Sequence, residues 1–294
     1  MPAVAVDLDH IGTAVRSLDA GRQAFEKLGF KLTERSYHKG ATTPGGPIEP
    51  WGSANHCAML PQGYLEVIGI VDASKFTTVK GMLERYEGPH IVAFRPASAE
   101  AVQSLVARGL PIDPGRALER MAPYGPDGSQ SVRVAFRNSR FASKAFAEAQ
   151  FQYTEHFTRP EMWQPHLIEH PNGALALDTL FLCTPDPAAL AAKLAPVLGM
   201  EPAAGMPEEL VFPFEASALR VLTPRAWLAR SPGTALHPLP APVGYTVRVR
   251  SLRRLQEVLA RNGVPWERNP DGGLRVGTAH ACGNVMHFVE ERKK

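Results

Sequence analysis

A chain of 294 residues, 44% hydrophobic and 21% charged, is long enough to bury two cores and too apolar to be disordered. A formal charge of +3, with no basic run interleaved with aromatics, argues against a nucleic-acid partner. Three scattered cysteines (Cys57, Cys183, Cys282), an acidic start (MPAVAVDLDH) and no run of roughly 18 apolar residues argue against a disulfide framework, a signal peptide and a membrane span, so a cytoplasmic protein is expected.

In chain order, four segments share one plan: a short apolar strand, an amphipathic helix, then a glycine where the helix stops. They begin with LDHIGTAV, GPHIVAFRP, ALDTLFLCT and GYTVRVR. Their helices are read in SLDAGRQAFEKLGF, SAEAVQSLVARGL, PDPAALAAKLAPVLGM and SLRRLQEVLARNGV. Ser98, Ser251 and the pair Asp186-Pro187 suit helix starts. Leu18, Phe25 and Leu28 fall on one helical face, as do Leu190, Leu194 and Val197. Gly29, Gly109, Gly199 and Gly263 sit where a left-handed cap is wanted. Further strands are expected after each helix, in the first unit at FKLTERSYH, SANHCAMLP and GYLEVIGIV. Residues 111–130, with several Pro and Gly, read as a loop, and the turn Pro171-Asn172-Gly173 separates an N-terminal pair of units, 1–168, from a C-terminal pair, 174–294.

The order and spacing of LDHIGTAV, GSANHCAML, GYLEVIGI, GPHIVAF and HPNGA resemble the vicinal oxygen chelate superfamily of glyoxalases, extradiol dioxygenases and resistance proteins, in its glyoxalase-like branch. The resemblance spans the whole chain. It implies an α+β fold in which four βαβββ units form two paired, cupped open-barrel domains. It also implies a divalent metal held by residues of the first and last strands of two paired units.

His10 and His90 each precede the helix-ending glycine of their unit by 19 residues, which predicts equivalent positions facing each other across the shared cup. Glu66, in an otherwise apolar strand, is the third candidate ligand. The superfamily makes a carboxylate there a recurrent one, and two His with one carboxylate leave open coordination positions. For a fourth ligand, the closing strand AQFQYTEHFTRP offers His156, with Gln152 and Glu155 as alternatives. Alternation places Asn55 and His56 on opposite faces. His56 is therefore either a hydrogen-bonded strand residue or a substrate contact and acid/base group. Tyr64, Trp51 and Trp163 could wall a pocket, whereas His38, His166 and His170 read as loop residues. The C-terminal half has Asp178-Thr179 and Tyr245-Thr246 where the first half has histidines. Its last strand offers His287 and Glu290 without partners, so a metal-free half is expected.

These residues and the resemblance imply a metal-assisted lyase or isomerase acting on a small oxygen-rich substrate, with Glu66 or a pocket histidine moving protons. The ion would be Zn, Ni, Mn, Fe or Co. Two alternatives are an Fe(II)-dependent extradiol-type dioxygenase and a metal-free protein that sequesters small molecules. Paired units within one chain are compatible with either a monomer or a homodimer.

Overall fold

The structure is a computed structural model that describes residues 3–43 and 45–291. The first unit runs β1 (Ala5–Val15), α1 (Leu18–Lys27), β2 (Ser36–Ala41), β3 (Ile48–Met59) and β4 (Tyr64–Ile70), and is followed by α2 (Val79–Arg85). The second runs β5 (Gly88–Pro96), α3 (Ala99–Ala107), β6 (Arg116–Tyr124), β7 (Gln130–Arg140) and β8 (Gln150–His156), followed by α4 (Arg159–Met162). The third runs β9 (Ala174–Cys183), α5 (Pro187–Leu198), β10 (Ala203–Ala204), β11 (Glu209–Pro213) and β12 (Ala218–Leu222), followed by α6 (Pro224–Arg230). The fourth runs β13 (Ala241–Val249), α7 (Leu252–Arg261), β14 (Glu267–Arg268), β15 (Leu274–Val276) and β16 (Val285–Glu290). The fold is α+β, with the βαβββ plan repeated four times and the units paired.

Local chemistry sets these elements. The Ser98 side chain accepts from Ala101 N, that of Asp186 from Ala189 N, and that of Ser251 from Arg254 N, each satisfying a first-turn donor. The stop glycines Gly29, Gly109, Gly199 and Gly263 all have φ between 66° and 84°, a region that costs a residue with a Cβ. Two expectations need correction. The Pro/Gly-rich stretch 111–130 contains a strand, β6. This strand lies at the sheet edge, where Pro123 can sit without costing an inner ladder bond. In the first unit, residues 30–35 are irregular and β2 starts only at Ser36.

Units pair through their opening strands. One sheet has the order β2-β3-β4-β1-β5-β8-β7-β6, and the second repeats it as β10-β11-β12-β9-β13-β16-β15-β14. Each sheet curls, leaving its central antiparallel pair (β1 with β5, β9 with β13) at the floor of a cup. The other face carries α1, α3, α5 and α7. The main apolar core lies there and draws on both halves, from Phe25, Phe94 and Phe151 to Leu194, Tyr245 and Leu255. Hydrogen bonds join the halves as well, including Tyr153 Oη to Val197 O (2.6 Å) and Val4 N to Leu198 O (3.0 Å).

Candidate active site

In a half-barrel, residues that share a row across neighbouring strands point to the same side. His10 pairs with Tyr64 on β4 and with Ala93 on β5, and Ala93 pairs with Gln152 on β8. The next row is Glu66, Gly12, Ile91 and Gln150. These rows line the cup of the N-terminal sheet. Gly12 is required between its neighbours: a Cβ there would lie 2.7 Å from Ile91 Cβ and 2.9 Å from Glu66 Oε2.

Each end of the cup is closed by apolar side chains. At one end Ala14, Ile68 and Ile91 pack against Val79 and Leu83 of α2. At the other, Cys57, Met59 and Tyr64 pack against Met162, Trp163, Leu167 and Ile168, which follow β8. Glu66, Asn55, Gln150 and Gln152 form the polar middle.

A β-bulge between Leu8 and His10 breaks the alternation of β1 and brings Asp9 to the same polar cluster as His10. His10 Nδ1 donates to Asp9 Oδ1 at 2.7 Å, and His156 Nε2 lies 3.1 Å from Oδ2 and 3.2 Å from Oδ1. Asp9 is fully buried. Burial works to raise its pKa, but the charge of His156 and the hydrogen bonds from both imidazoles hold it well below the usual carboxylate range. With Nδ1 donating, neutral His10 keeps an unprotonated Nε2. Tyr64 stacks on the His10 ring at 4.3 Å, and Trp163 meets the His156 ring edge-on at 4.9 Å. Burial, with the Asp9 charge adding to it, raises the Tyr64 phenol well above its ordinary value, so Tyr64 stays a neutral wall.

Glu66 is buried, and its Oε1 accepts from the Asn55 amide. Oε2 makes no hydrogen bond among the described residues. Asn55 therefore takes the place at the cup that His56 could have taken. His56 faces the other way, its Nδ1 donating to Thr33 O at 2.8 Å, and its Nε2 is buried without a partner. His38, expected in a loop, lies on β2 with Nδ1 3.0 Å from Ser53 Oγ. Burial lowers its pKa, Glu66 opposes the shift, and Arg120 and Arg140 add to it. The Trp51 indole donates to Gly40 O on the β2–β3 hairpin, and its ring meets Phe76 edge-on.

His90 is not brought to this group, and the equivalence expected from the 19-residue spacings does not hold. Ile11 pairs with Val92, His10 with Ala93 and Gly12 with Ile91. A twofold axis through that ladder makes Ile91 the counterpart of His10, and His90 the counterpart of Asp9. His90 Nε2 donates to Tyr86 O at 2.9 Å and its ring stacks on Tyr86 at 4.0 Å. Tyr86 stacks in turn on His237 of the C-terminal half, at 4.1 Å. Of the alternatives on β8, Gln152 and His156 face the cup, while Glu155 turns outward to Arg137 at 3.5 Å.

The C-terminal cup is filled. Trp227 of α6 is fully buried among Phe181, Cys183, Leu222 and Val285. His287 is hydrogen-bonded through both ring nitrogens, to Ser231 Oγ (2.7 Å) and Asn269 Nδ2 (3.1 Å), and Glu290 accepts from Leu252 N.

Among the described residues, no three His, Cys, Asp or Glu side chains form a ready-made ligand set. The N-terminal cup nevertheless offers donors that suit a divalent cation: an imidazole nitrogen whose ring is fixed by a carboxylate, and a carboxylate oxygen whose partner is fixed by an amide. This is the outer-shell support typical of metal ligands. A mixed N/O set with few protein donors suits an open site completed by water or substrate, not a closed tetrahedral one.

A family model described as a glyoxalase-like domain matches residues 8–198. No curated protein matches the sequence. Solved structures resemble the whole fold. A hypothetical protein from Staphylococcus aureus aligns with a TM-score of 0.64 at 12% identity, covering 97% of this chain and 98% of that one. A mutant of 4-hydroxymandelate synthase from Streptomyces coelicolor aligns at 0.59 and 12%, covering 99% and 95%. The Mn(II)-bound glyoxalase from Novosphingobium aromaticivorans aligns at 0.53 and 13%, covering 99% and 84%. At these identities the likeness is one of fold. No helix among the described residues is long and apolar enough to cross a membrane.

Proposed function

The chain belongs to the glyoxalase-like domain family, and from that premise we propose that it is a divalent-metal-dependent lyase or isomerase acting on a small oxygen-rich substrate in its N-terminal cup. The observation that supports this most is His10, with Nδ1 donating to Asp9 and Nε2 left with a lone pair, one row along the cup from Glu66. His10 Nε2 and Glu66 Oε2 would hold the ion, with the Gln152 amide on the same face. The ion would supply Lewis-acid polarisation of a substrate oxygen.

The chain's own residues do the rest. Asp9 fixes the His10 tautomer, Asn55 orients Glu66, and Tyr64 and Trp163 keep water from one end of the cup. Glu66 is also the group placed to take or return a proton, at Oε1, the carboxylate oxygen that the ion would not hold.

The ring-cleaving dioxygenase reading needs two imidazoles free to ligate beside one carboxylate. His90 lies at the interface of the two halves, and the one nitrogen of His156 not held by Asp9, Nδ1, is buried away from solvent, so the donors favour the lyase or isomerase reading. Titration of the purified chain with Mn²⁺ tests the proposal. His10→Ala and Glu66→Gln should each abolish stoichiometric uptake with the circular dichroism spectrum unchanged, and His90→Ala should keep it. Full uptake in both cup variants would refute the assignment. An unaltered chain that takes up no metal yet binds small molecules would be a sequestering protein instead.

A further inference from the structure

The β6–β7–β8 wall of the cup sorts its charges by face. On the outer face, cations meet anions: Arg133 Nη2 lies 2.6 Å from Glu119 Oε2, and Arg137 pairs with Glu155 at 3.5 Å. On the inner face the register aligns Arg116 with Asn138, Arg120 with Val134, and Arg140 with Gln152. Phe136 and Asn138 show that this face looks into the cup, because they touch His156 and Thr154. The three inner arginines have no ion pair and no side-chain hydrogen bond among the described residues, and Arg120 is half-buried.

A half-buried guanidinium without a partner is costly, and its planar fork matches the oxygens of a carboxylate or phosphoryl group. Strand β6, which carries Arg120, is one edge of the eight-stranded sheet, and β2, β3 and β4 form the other side, so the inner face of β6 is turned across the cup. Asp9, the other buried carboxylate here, is already occupied by two imidazoles, so it gives Arg120 no counterion.

We infer that the substrate carries an oxyanion, a carboxylate or a phosphoryl group, seated by Arg120, while its neutral oxygens face Glu66 and His10. This rests on the cup being the substrate site, as proposed above, and gives that site a substrate class.

Calorimetric titration of the full chain at constant ionic strength tests it, with malonate, inorganic phosphate and neutral malonamide as probes. An anion should bind and malonamide should not. The tighter of malonate and phosphate identifies the anion type. Arg120→Gln should weaken binding tenfold or more and Arg120→Lys less, while Arg133→Gln, on the outer face, should leave it unchanged. Equal binding of malonamide, absence of anion binding, or indifference to Arg120→Gln in a folded variant would overturn the inference. The two readings fail separately. Absent anion binding with His10-dependent Mn²⁺ uptake removes only the oxyanion, and Arg120-dependent anion binding without metal uptake removes only the metal.

Discussion

His10 Nδ1 lies 2.7 Å from Oδ1 of Asp9, its neighbour in sequence, because a bulge in β1 turns two consecutive side chains into one cluster. A carboxylate behind an imidazole fixes the tautomer and orientation of the ring. Asp9→Asn keeps the shape and an acceptor for His10 but removes the charge. Mn²⁺ affinity should fall roughly 10- to 100-fold with the fold retained. Calorimetric titration of the variant measures it, and wild-type affinity would mean that Asp9 does not act through His10.

Gly12 separates His10 from Glu66 along the cup. A methyl group there meets the Ile91 Cβ, which belongs to a strand and cannot swing away, and the Glu66 carboxylate, which can. Gly12→Ala should therefore cost about 1–3 kcal/mol of stability through overpacking, and should weaken metal uptake by displacing Glu66. Urea denaturation and Mn²⁺ titration of the same sample read the two effects. A variant unchanged in both would show that the floor of the cup is looser than its geometry.

The parts of this fold that were legible in the sequence are those fixed by local chemistry. Ser98, Asp186 and Ser251 cap helices because a hydroxyl or carboxylate is needed within three residues, and Gly199 ends one because αL suits it. Glu66 stands out since a carboxylate in an apolar strand needs a reason. What was hidden depends on long-range pairing. Counting from His90 to Gly109 measures the length of a connection, whereas the face on which His90 points depends on which residue of β1 lies opposite it. The bulge at Asp9 is equally invisible, for simple alternation puts Asp9 and His10 on opposite faces. Strand β6 was masked by the prolines and glycine around it, and with it the arginines of the inner face.

Trp227 does for the C-terminal cup what a ligand would do for the N-terminal one: it fills it. Gly244 leaves it room, since a Cβ there would lie 3.0 Å from the indole. Trp227→Ala should cost about 3–5 kcal/mol, as for other large-to-small changes in a core. The indole nitrogen is buried without a hydrogen-bond partner among the described residues, so Trp227→Phe loses ring volume but no bond and should cost less. Urea midpoints rank the three proteins. Mn²⁺ uptake by Trp227→Phe should match the parent, since the donors lie in the other cup.

The stack of His90 on Tyr86 on His237 makes the junction of the halves sensitive to acid. Burial lowers the His90 pKa from near 6.5 to about 4. The nearby Arg85 and His237 add to this, and the bond to Tyr86 O opposes it. The sign follows from proton uptake. Between those two values the unfolded chain binds a proton at this position and the folded chain does not, so stability falls as pH drops from about 6.5 to about 4, and does not change on this account outside the window. Across that window the full effect is about 3 kcal/mol, at 1.36 kcal/mol per pH unit. Other groups titrate in the same range, which makes the difference between proteins the informative quantity. His90→Gln can still donate to Tyr86 O but has no proton to gain. Its stability relative to the parent, from urea denaturation at pH 7 and pH 4.5, should therefore improve on acidification. A relative stability that stays constant over that range would show that His90 titrates normally in the folded protein, and that the stacked rings do not shield it from solvent.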